Sequence, residues 1–341
     1  MTARPAGRPA PTLESVAALA GVSRATAGRV LAGSTTVGEQ SREAVLRAAT
    51  ELSYVTNRAA RSLMTRRSDS VAFVVGESEE RFLADPHFAL LLRGAHAALA
   101  GQDVQLVFSI LAGDAERQRF EHFARGGHLD GVILVSLHGD DPLPRRLLDA
   151  AVPVVLSGRP YRPVDGLAYV DADNAGGARS AVELLLDRGR KRIATITGPL
   201  DMPAALDRRD GFHAGLDASG MRPHGTADGD FSVAGGRRAM EELIAADPGI
   251  DAVFAANDLM AFGAMQVLAE HGRRVPDDVA LVGFDDSPLA ASVHPALTTV
   301  RQPVVAMGAA MAARLMTVFG EGPGDPVPLI MPTELVLRGT A

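Results

Sequence analysis

The residues able to do chemistry in this chain gather at two kinds of place. One is a short N-terminal stretch where Ser23, Arg24, Thr26 and Arg29 supply hydroxyls and guanidinium groups suited to an anionic partner. The other is the set of positions directly after apolar, β-branched runs: Ser157 and Arg159, Asn257 and Asp258, Asp285 and Asp286. An amide, carboxylates and a guanidinium at strand ends can hold a polar small molecule. Asp258, Asp285 or Asp286 could also form the carboxylate pair of a glycosidase, although nothing in the spacing sets the ~5–10 Å separation such a pair needs. Each residue has a plainer reading as well. Asn257 or Asp258 could cap a helix starting at Leu259, and Asp286 or Ser287 a turn before Pro288. The chain has no cysteine, hence no thiol nucleophile, disulfide or Cys-based metal site. With no Ser-His-Asp set, no metal-spaced histidines and no phosphate loop, neither a metal nor a cofactor is expected.

The elements that must position these groups divide the chain by charge. Residues 1–68 hold ten arginines and four acids, about +6, while the whole chain is −7, so the remainder stands at about −13. A basic head on an acidic body is a local, orientable patch for phosphates. Residues 1–11, rich in Pro, Ala and Arg, read as a disordered arm without the apolar stretch of a secretory signal. From Thr12, a suitable N-cap, Leu13, Val16, Ala17 and Ala20 recur at helical spacing. Gly21 ends that helix and Ser23 caps a second, Arg24 to about Leu31. Two short helices across a Gly-containing break are a helix-turn-helix pattern. A third helix is expected over about Glu39–Leu52. Asn57 to Leu63 could form two helical turns, too short to stand alone in water. Leu63 between basic residues suits a wedge in a DNA minor groove.

About 270 residues follow. Strands are expected at Val71–Val75, Val104–Phe108, Gly131–Val135, Pro153–Leu156, Arg192–Thr197, Asp251–Ala255 and Val279–Phe284. Helices lie between them: Phe88–Ala100, Ala175–Arg188, Arg209–Ala218, Gly235–Ala246 and Met260–His271. Apolar strands alternating with helices indicate parallel sheets covered on both faces. The β-α pattern occurs twice, so two subdomains are expected, with ligand between them beyond the strands' carboxyl ends. Residues 304–319 read as a late helix and Leu329–Leu337 as one final strand. No apolar run reaches membrane-spanning length.

Thr12-Leu13-x-x-Val16-Ala17-x-x-Ala20-Gly21-Val22-Ser23-x-x-Thr26-x-x-Arg29-Val30-Leu31 resembles the head of the lactose/purine repressor (LacI/GalR) family. Tyr54-x-x-Asn57-x-x-Ala60-Arg61-Ser62-Leu63 resembles that family's hinge, and the likeness runs over about residues 12–338. The resemblance implies an all-α helix-turn-helix head (12–56), a hinge helix and linker (57–68), and a bilobed α/β body like periplasmic binding proteins (69–341). In that body, two parallel-sheet subdomains comprise about 69–172 with 304–328 and about 173–300 with 329–341, with three crossings between them. It further implies a homodimer on a pseudo-palindromic double-stranded DNA operator. Ser23, Arg24, Ala25, Thr26 and Arg29 would lie at the major groove, and Asn57, Ala60, Arg61 and Leu63 at the minor groove. Carried to the body, it implies effector contacts from Phe88, Arg159, Arg208, Phe231, Asn257 and Asp285.

Several positions depart from the family pattern. Gly28 stands where Ser is usual, Ser15 where Asp is frequent, Thr56 in place of Pro and Ala32 in place of Asn. Gly158 replaces a common Asp before Arg159, which points to a smaller or an anionic ligand. Arg159 beside Arg208 would favour a carboxylate or phosphate. An aromatic with Asn, Asp and Arg suits a saccharide, which shows an apolar C–H face and a rim of hydroxyls. The expectation is therefore a cytoplasmic, ligand-responsive, sequence-specific DNA-binding transcriptional regulator, a repressor sensing a sugar-like effector, and no enzyme. The alternatives are a solute-binding protein, disfavoured by the basic head and missing export signal, and a carbohydrate-active enzyme.

Overall fold

The protein is described by a computed structural model covering residues 11–31, 34, 36–54, 67–321 and 327–341. It divides into two compact units, Met1–Ser68 and Asp69–Ala341.

In the head, helices α1 (Leu13–Ala20), α2 (Arg24–Leu31) and α3 (Glu39–Glu51) enclose a small core of Val16, Ala17, Ala27, Val30, Val45 and Ala48. Local chemistry sets each boundary. Thr12 and Ser15 form a reciprocal capping box, the Ser15 N–H donating to Thr12 Oγ1 and the Thr12 N–H to Ser15 Oγ at 2.9 Å. Gly21 ends α1 at φ +66, where a side chain would be strained. Ser23 Oγ then accepts from the Thr26 N–H at 3.1 Å and starts α2. Asn57, Ala60, Arg61 and Leu63, the expected hinge, and nearly all of the expected arm lie outside the described residues.

The body opens with β1 (Ser70–Val75), α4 (Glu79–Ala84), α5 (Pro86–Leu99), β2 (Gln105–Ile110), α6 (Asp114–Phe123), β3 (Gly131–Val135), α7 (Leu143–Asp149), β4 (Val154–Ser157) and β5 (Ala168–Ala172). It continues with α8 (Asn174–Asp187), β6 (Ile193–Thr197), α9 (Pro203–Ala218), β7 (Gly225–Asp228), α10 (Val233–Ala246), β8 (Ala252–Ala255), α11 (Asp258–Glu270), β9 (Ala280–Asp285), α12 (Pro288–Ser292) and β10 (Thr298–Arg301). It closes with α13 (Val304–Glu321), β11 (Leu329–Met331) and β12 (Glu334–Val336).

Two six-stranded sheets result, in the orders β11-β5-β4-β3-β1-β2 and β12-β10-β9-β8-β6-β7. All their pairings are parallel except β10 with β12. Alternation along β1 shows why both faces are covered. Val71, Phe73 and Val75 join the core beneath α5 and α13, while Ala72 and Val74 join the opposite core beneath α6 and α7. The second sheet is sandwiched in the same way between α10 and α11 on one face and α8 and α9 on the other.

One expectation is corrected. Leu329–Leu337 is not a single strand of the second lobe. It divides at Pro332-Thr333 into β11, parallel to β5 of the first sheet, and β12, antiparallel to β10 of the second. Proline has no N–H for a ladder, so the strand breaks there and the chain changes sheet. The chain still passes between lobes three times, after β5, after β10 and at this break. No helix among the described residues is long and apolar enough to cross a membrane.

Candidate functional site

On the head, Ser23, Arg24, Ala25 and Arg29 are exposed and Thr26 is partly so, whereas Ala27 and Val30 of the same helix are buried. The helix thus hides its apolar stripe and turns its hydroxyls and guanidiniums outward. Arg24 Nε meets Glu14 at 3.0 Å on the open surface, an ion pair worth little in water. Ser23 Oγ also lies 2.9 Å from Thr26 Oγ1, so its capping duty leaves a hydroxyl cluster at the start of α2. A helix N-terminus with free donors, followed by arginines, suits the phosphates and base edges of a duplex.

In the body, a cleft opens where both sheets end, and its walls include Phe88, Arg208, Phe231, Asn257 and Asp285. Arg208, on α9, is only 5% exposed. Its Nε donates to Asn174 Oδ1 at 2.8 Å, and its Nη1 to the Ala256 carbonyl at 2.6 Å and to Asp285 Oδ1 at 3.4 Å. The guanidinium lies over the Phe284 ring, 3.8 Å from its centroid. Nη2 makes no hydrogen bond to any described residue.

Asp285 ends β9 with φ +112, an uncommon backbone for a residue with a side chain. Its carboxylate also accepts from Gln302 Nε2 at 2.6 Å. Burial pushes its pKa up against the opposing pull of Arg208, and Asp258 adds to the rise. Burial of Arg208 in turn lowers the guanidinium's own pKa. The two shifts describe one desolvated pair, which the other bonds to each partner keep in register.

Asn257 caps a helix and also lines the cleft. Oδ1 caps α11, accepting from the Met260 N–H at 2.9 Å, and Nδ2 donates to the Phe231 carbonyl at 3.0 Å. An amide nitrogen carries two hydrogens, so one remains for the cleft. Phe231 is held at φ +62, and its ring fills the space over Gly198, where a Cβ would overlap it. Arg81 and Arg208 sit 5.4 and 5.8 Å from its centroid. Phe88 is buried in the first lobe's core and shows the cleft one edge of that core. His87 is half-buried on the cleft wall.

Arg159 departs from expectation. It does not stand beside Arg208 as a free cation. Its Nε and Nη2 both donate to Asp207, at 2.8 and 2.7 Å, a two-pronged pair that joins the lobes. A guanidinium satisfied by a planar carboxylate has little charge left for an anion. The cleft's other ionic groups are Arg81 and Arg208 against Asp85, Asp171 and Asp285, with Arg81 pairing with Asp85 and Arg208 with Asp285. The case for a carboxylate or phosphate ligand therefore falls. The glycosidase pair falls with it. Asp258 accepts from Thr299 Oγ1 at 2.5 Å and from the Ser287 N–H at 2.7 Å, while Asp286 is paired with Arg301 and Arg338. Neither reaches the cleft wall.

Sequence reasoning missed Arg81, Asp171, Asn174 and Gln302. Asp171 lies near the end of β5, Asn174 follows β5, and Gln302 follows β10. The strand-end rule would have found all three had those short strands been recognised. Arg81 sits on α4, where no motif marks it, and its Nη1 donates across the cleft to the Asp230 carbonyl at 2.7 Å. A second link is His138, whose Nδ1 lies 2.9 Å from Asp201 and Nε2 3.2 Å from the buried Glu77. Among the described residues no cluster of His, Asp and Glu could hold a metal.

A helix-turn-helix head followed by a two-lobed α/β body with a polar cleft defines a DNA-binding regulator that carries a small-molecule sensor. The comparisons agree. Residues 12–57 match the lacI family of bacterial regulatory proteins, and residues 182–341 match the periplasmic binding protein-like domain. The HTH-type transcriptional regulator CelR of Thermobifida fusca is 47% identical over 331 residues, 96% of this chain and 97% of its own. A solved transcriptional regulator CelR–cellobiose complex superposes with TM-score 0.77 at 44% identity, covering 97% of this chain and all of that one. The Lac repressor dimer bound to operator and the anti-inducer ONPF superposes at 0.83 with 26% identity, over 97% and 98% of the two chains. The chain belongs to the LacI family of transcriptional regulators, and it is a regulator rather than an enzyme.

Proposed function

We propose that this protein is a cytoplasmic, homodimeric repressor whose operator affinity is set by a neutral saccharide bound between the lobes. The observation that carries the ligand class is the pairing of the cleft's cations. Arg159 is taken by Asp207, Arg81 by Glu77 and Asp85, and Arg208 faces Asp285, so what remains is the Asp171 carboxylate and an amide-rich rim beside the Phe231 face. Carboxylates and amides accept and donate to hydroxyls, and an aromatic ring offers an apolar face to sugar C–H groups. Phe88, Arg208, Phe231, Asn257 and Asp285 are the effector contacts in this reading, with Asp171 and Asn174 beside them. Arg159 serves as an interlobe tie. The likeness to a regulator solved with cellobiose makes that disaccharide the first candidate.

On DNA, Ser23, Arg24, Ala25, Thr26 and Arg29 of each protomer enter one half-site of a pseudo-palindrome, the half-sites about one helical turn apart. The likeness to a repressor dimer solved on its operator supports this arrangement. The effector acts only through different affinities for the DNA-bound and free states. The test is a gel shift of the full chain on its upstream region, with and without cellobiose, and calorimetry with cellobiose, ribose and inorganic phosphate. Saccharide binding that shifts operator affinity supports the proposal, and phosphate binding with no saccharide response overturns it.

A further inference from the structure

Glu77 follows β1 in the first lobe and is only 8% exposed, yet it is none of the effector contacts named above. A buried carboxylate needs partners, and three side chains meet its Oε1. Ser136 Oγ donates to it at 2.6 Å, Arg81 Nε lies 3.3 Å away and His138 Nε2 lies 3.2 Å away. Two of the three continue into the second lobe. Arg81 Nη1 donates to the Asp230 carbonyl at 2.7 Å, and its guanidinium sits 5.4 Å from the centroid of the adjacent Phe231 ring. His138 Nδ1 lies 2.9 Å from Asp201 Oδ2, in the loop that leads into α9. Beside it the Gly139 N–H donates to the Asp201 carbonyl at 2.8 Å. One oxygen of the first lobe is thus the root of two arms that grip the second.

The His138 arm has a proton requirement that follows from counting hydrogens. Both ring nitrogens face carboxylates, and an ionised carboxylate only accepts. A neutral imidazole has one N–H, so it serves Glu77 or Asp201 and turns a lone pair on the other. The imidazolium donates to both. Burial pushes the Glu77 carboxyl up, but its bonds to His138 and Ser136 and the charge of Arg81 outweigh this and hold it below the usual range, as an ionised acceptor. The other ionic groups around His138 line the open pocket beside it: Asp114, Arg117 and Glu121 of α6, Asp140 and Asp141 of its own loop, and Arg146 of α7. There Arg117 pairs with Asp141, Arg146 with Glu121 and Arg162 with Asp140, so these charges are largely matched among themselves.

We infer that Glu77 is a positioning residue for effector binding, holding Arg81 and His138 as two interlobe arms, and that closing the cleft takes up a proton at His138. This rests on the sugar-sensing reading above and adds to it a residue outside the contact set and a linkage between effector and proton. Ties between the lobes raise the fraction of molecules already closed, and apparent affinity scales with that fraction. A closed arrangement that holds the proton more tightly makes the effector bind better at lower pH.

Calorimetry with cellobiose on the full chain tests it, run at pH 6, 7 and 8 in buffers of different ionisation enthalpy so that proton uptake is counted. Asp285, pushed up to about 7 by burial, titrates in the same window, so the difference between wild type and variant is what is read. His138→Gln is expected to bind less tightly than wild type at pH 6, to match it more closely at pH 8 and to take up fewer protons. Glu77→Gln is expected to weaken cellobiose about tenfold at pH 6 and to lose the same proton uptake with His138 intact, because an amide can donate to the neutral ring while the ring donates to Asp201. Arg81→Ala is expected to weaken cellobiose and keep the proton uptake, since it cuts the other arm. The half-buried His138 variant keeps the test valid if the Glu77 variant fails to fold. A His138→Gln protein with the wild-type pH profile and proton uptake, or a folded Glu77→Gln protein that keeps both, overturns this inference alone. No binding of cellobiose or ribose at any of the three pH values overturns the sugar-sensing reading, and the inference with it.

Discussion

Arg208 shows how far one residue's role depends on its partners. Its guanidinium bonds to Asn174 and Ala256, faces Asp285 and covers Phe284. Arg208→Ala removes a donor proposed for the effector and leaves Asp285 buried without its cation. The expected cost is about 3 kcal/mol, the lower end for breaking a buried pair, because a carboxyl already pushed up by burial can take a proton. Urea unfolding of the full chain measures this, and adding Asp285→Asn to Arg208→Ala should recover part of the loss. His138 gives a pH-dependent case. Its hydrogen bond to Glu77 raises its pKa above 6.5, burial opposes the rise, and Asp201 adds to it. A raised imidazole pKa means the folded protein holds the proton more tightly than the unfolded chain. The stabilisation is therefore complete below pH 6.5 and is lost as pH rises through the folded value. The wild type should be more stable at pH 6 than at pH 8, and His138→Gln should flatten that difference in thermal melts run across the window.

At the scale of elements, the head's helices are delimited by a few local bonds, and one position in them is open to improvement. Gly28 lies inside α2, and a Cβ there would meet only Leu13 Cδ2 at 3.7 Å, an ordinary contact. Glycine costs a helix interior about 1 kcal/mol relative to alanine. Gly28→Ala is therefore expected to stabilise the head by about that amount, read as a higher midpoint for the head's transition in calorimetric melts. The opposite situation holds where α5 crosses α13. Added Cβ atoms at Gly94 and Gly308 would overlap the facing helix backbone, so those glycines let the two helices pack at close range.

Over the whole molecule, charge is divided as the function requires, with about +6 on residues 1–68 and about −13 on the rest. The acidic body repels a polyanion, so affinity for DNA must come from the head. Operator binding should weaken steeply between roughly 50 and 200 mM salt, each neutralised phosphate adding about 0.9 to the log–log slope. Residues 69–341 alone should bind effector and not operator. Fluorescence anisotropy with labelled operator reads both, and a flat salt titration would sink the DNA-binding role assigned to the head.

What the sequence determined by itself is local. Thr12, Gly21 and Ser23 set helix ends because caps act on N–H groups within three or four residues. The unbroken apolar run Val71–Val75 marked a strand covered on both faces. The polar residues after β4, β8 and β9 marked the cleft because strand ends converge there in any parallel α/β sheet. The short strands β5, β7 and β10 left no such pattern, since four or five mixed residues carry little periodicity. Tertiary structure decided the partners. Arg159 reads as a free cation until folding brings Asp207, 48 positions away, against it. Asp258 and Asp286 read as possible acids until Thr299, Arg301 and Arg338 take their oxygens. Residues 329–337 read as one strand until each half finds a different sheet edge. A helix or strand depends on neighbours along the chain, whereas a charge's role depends on which groups folding brings within about 4 Å of it, where Coulomb energy and desolvation are decided together.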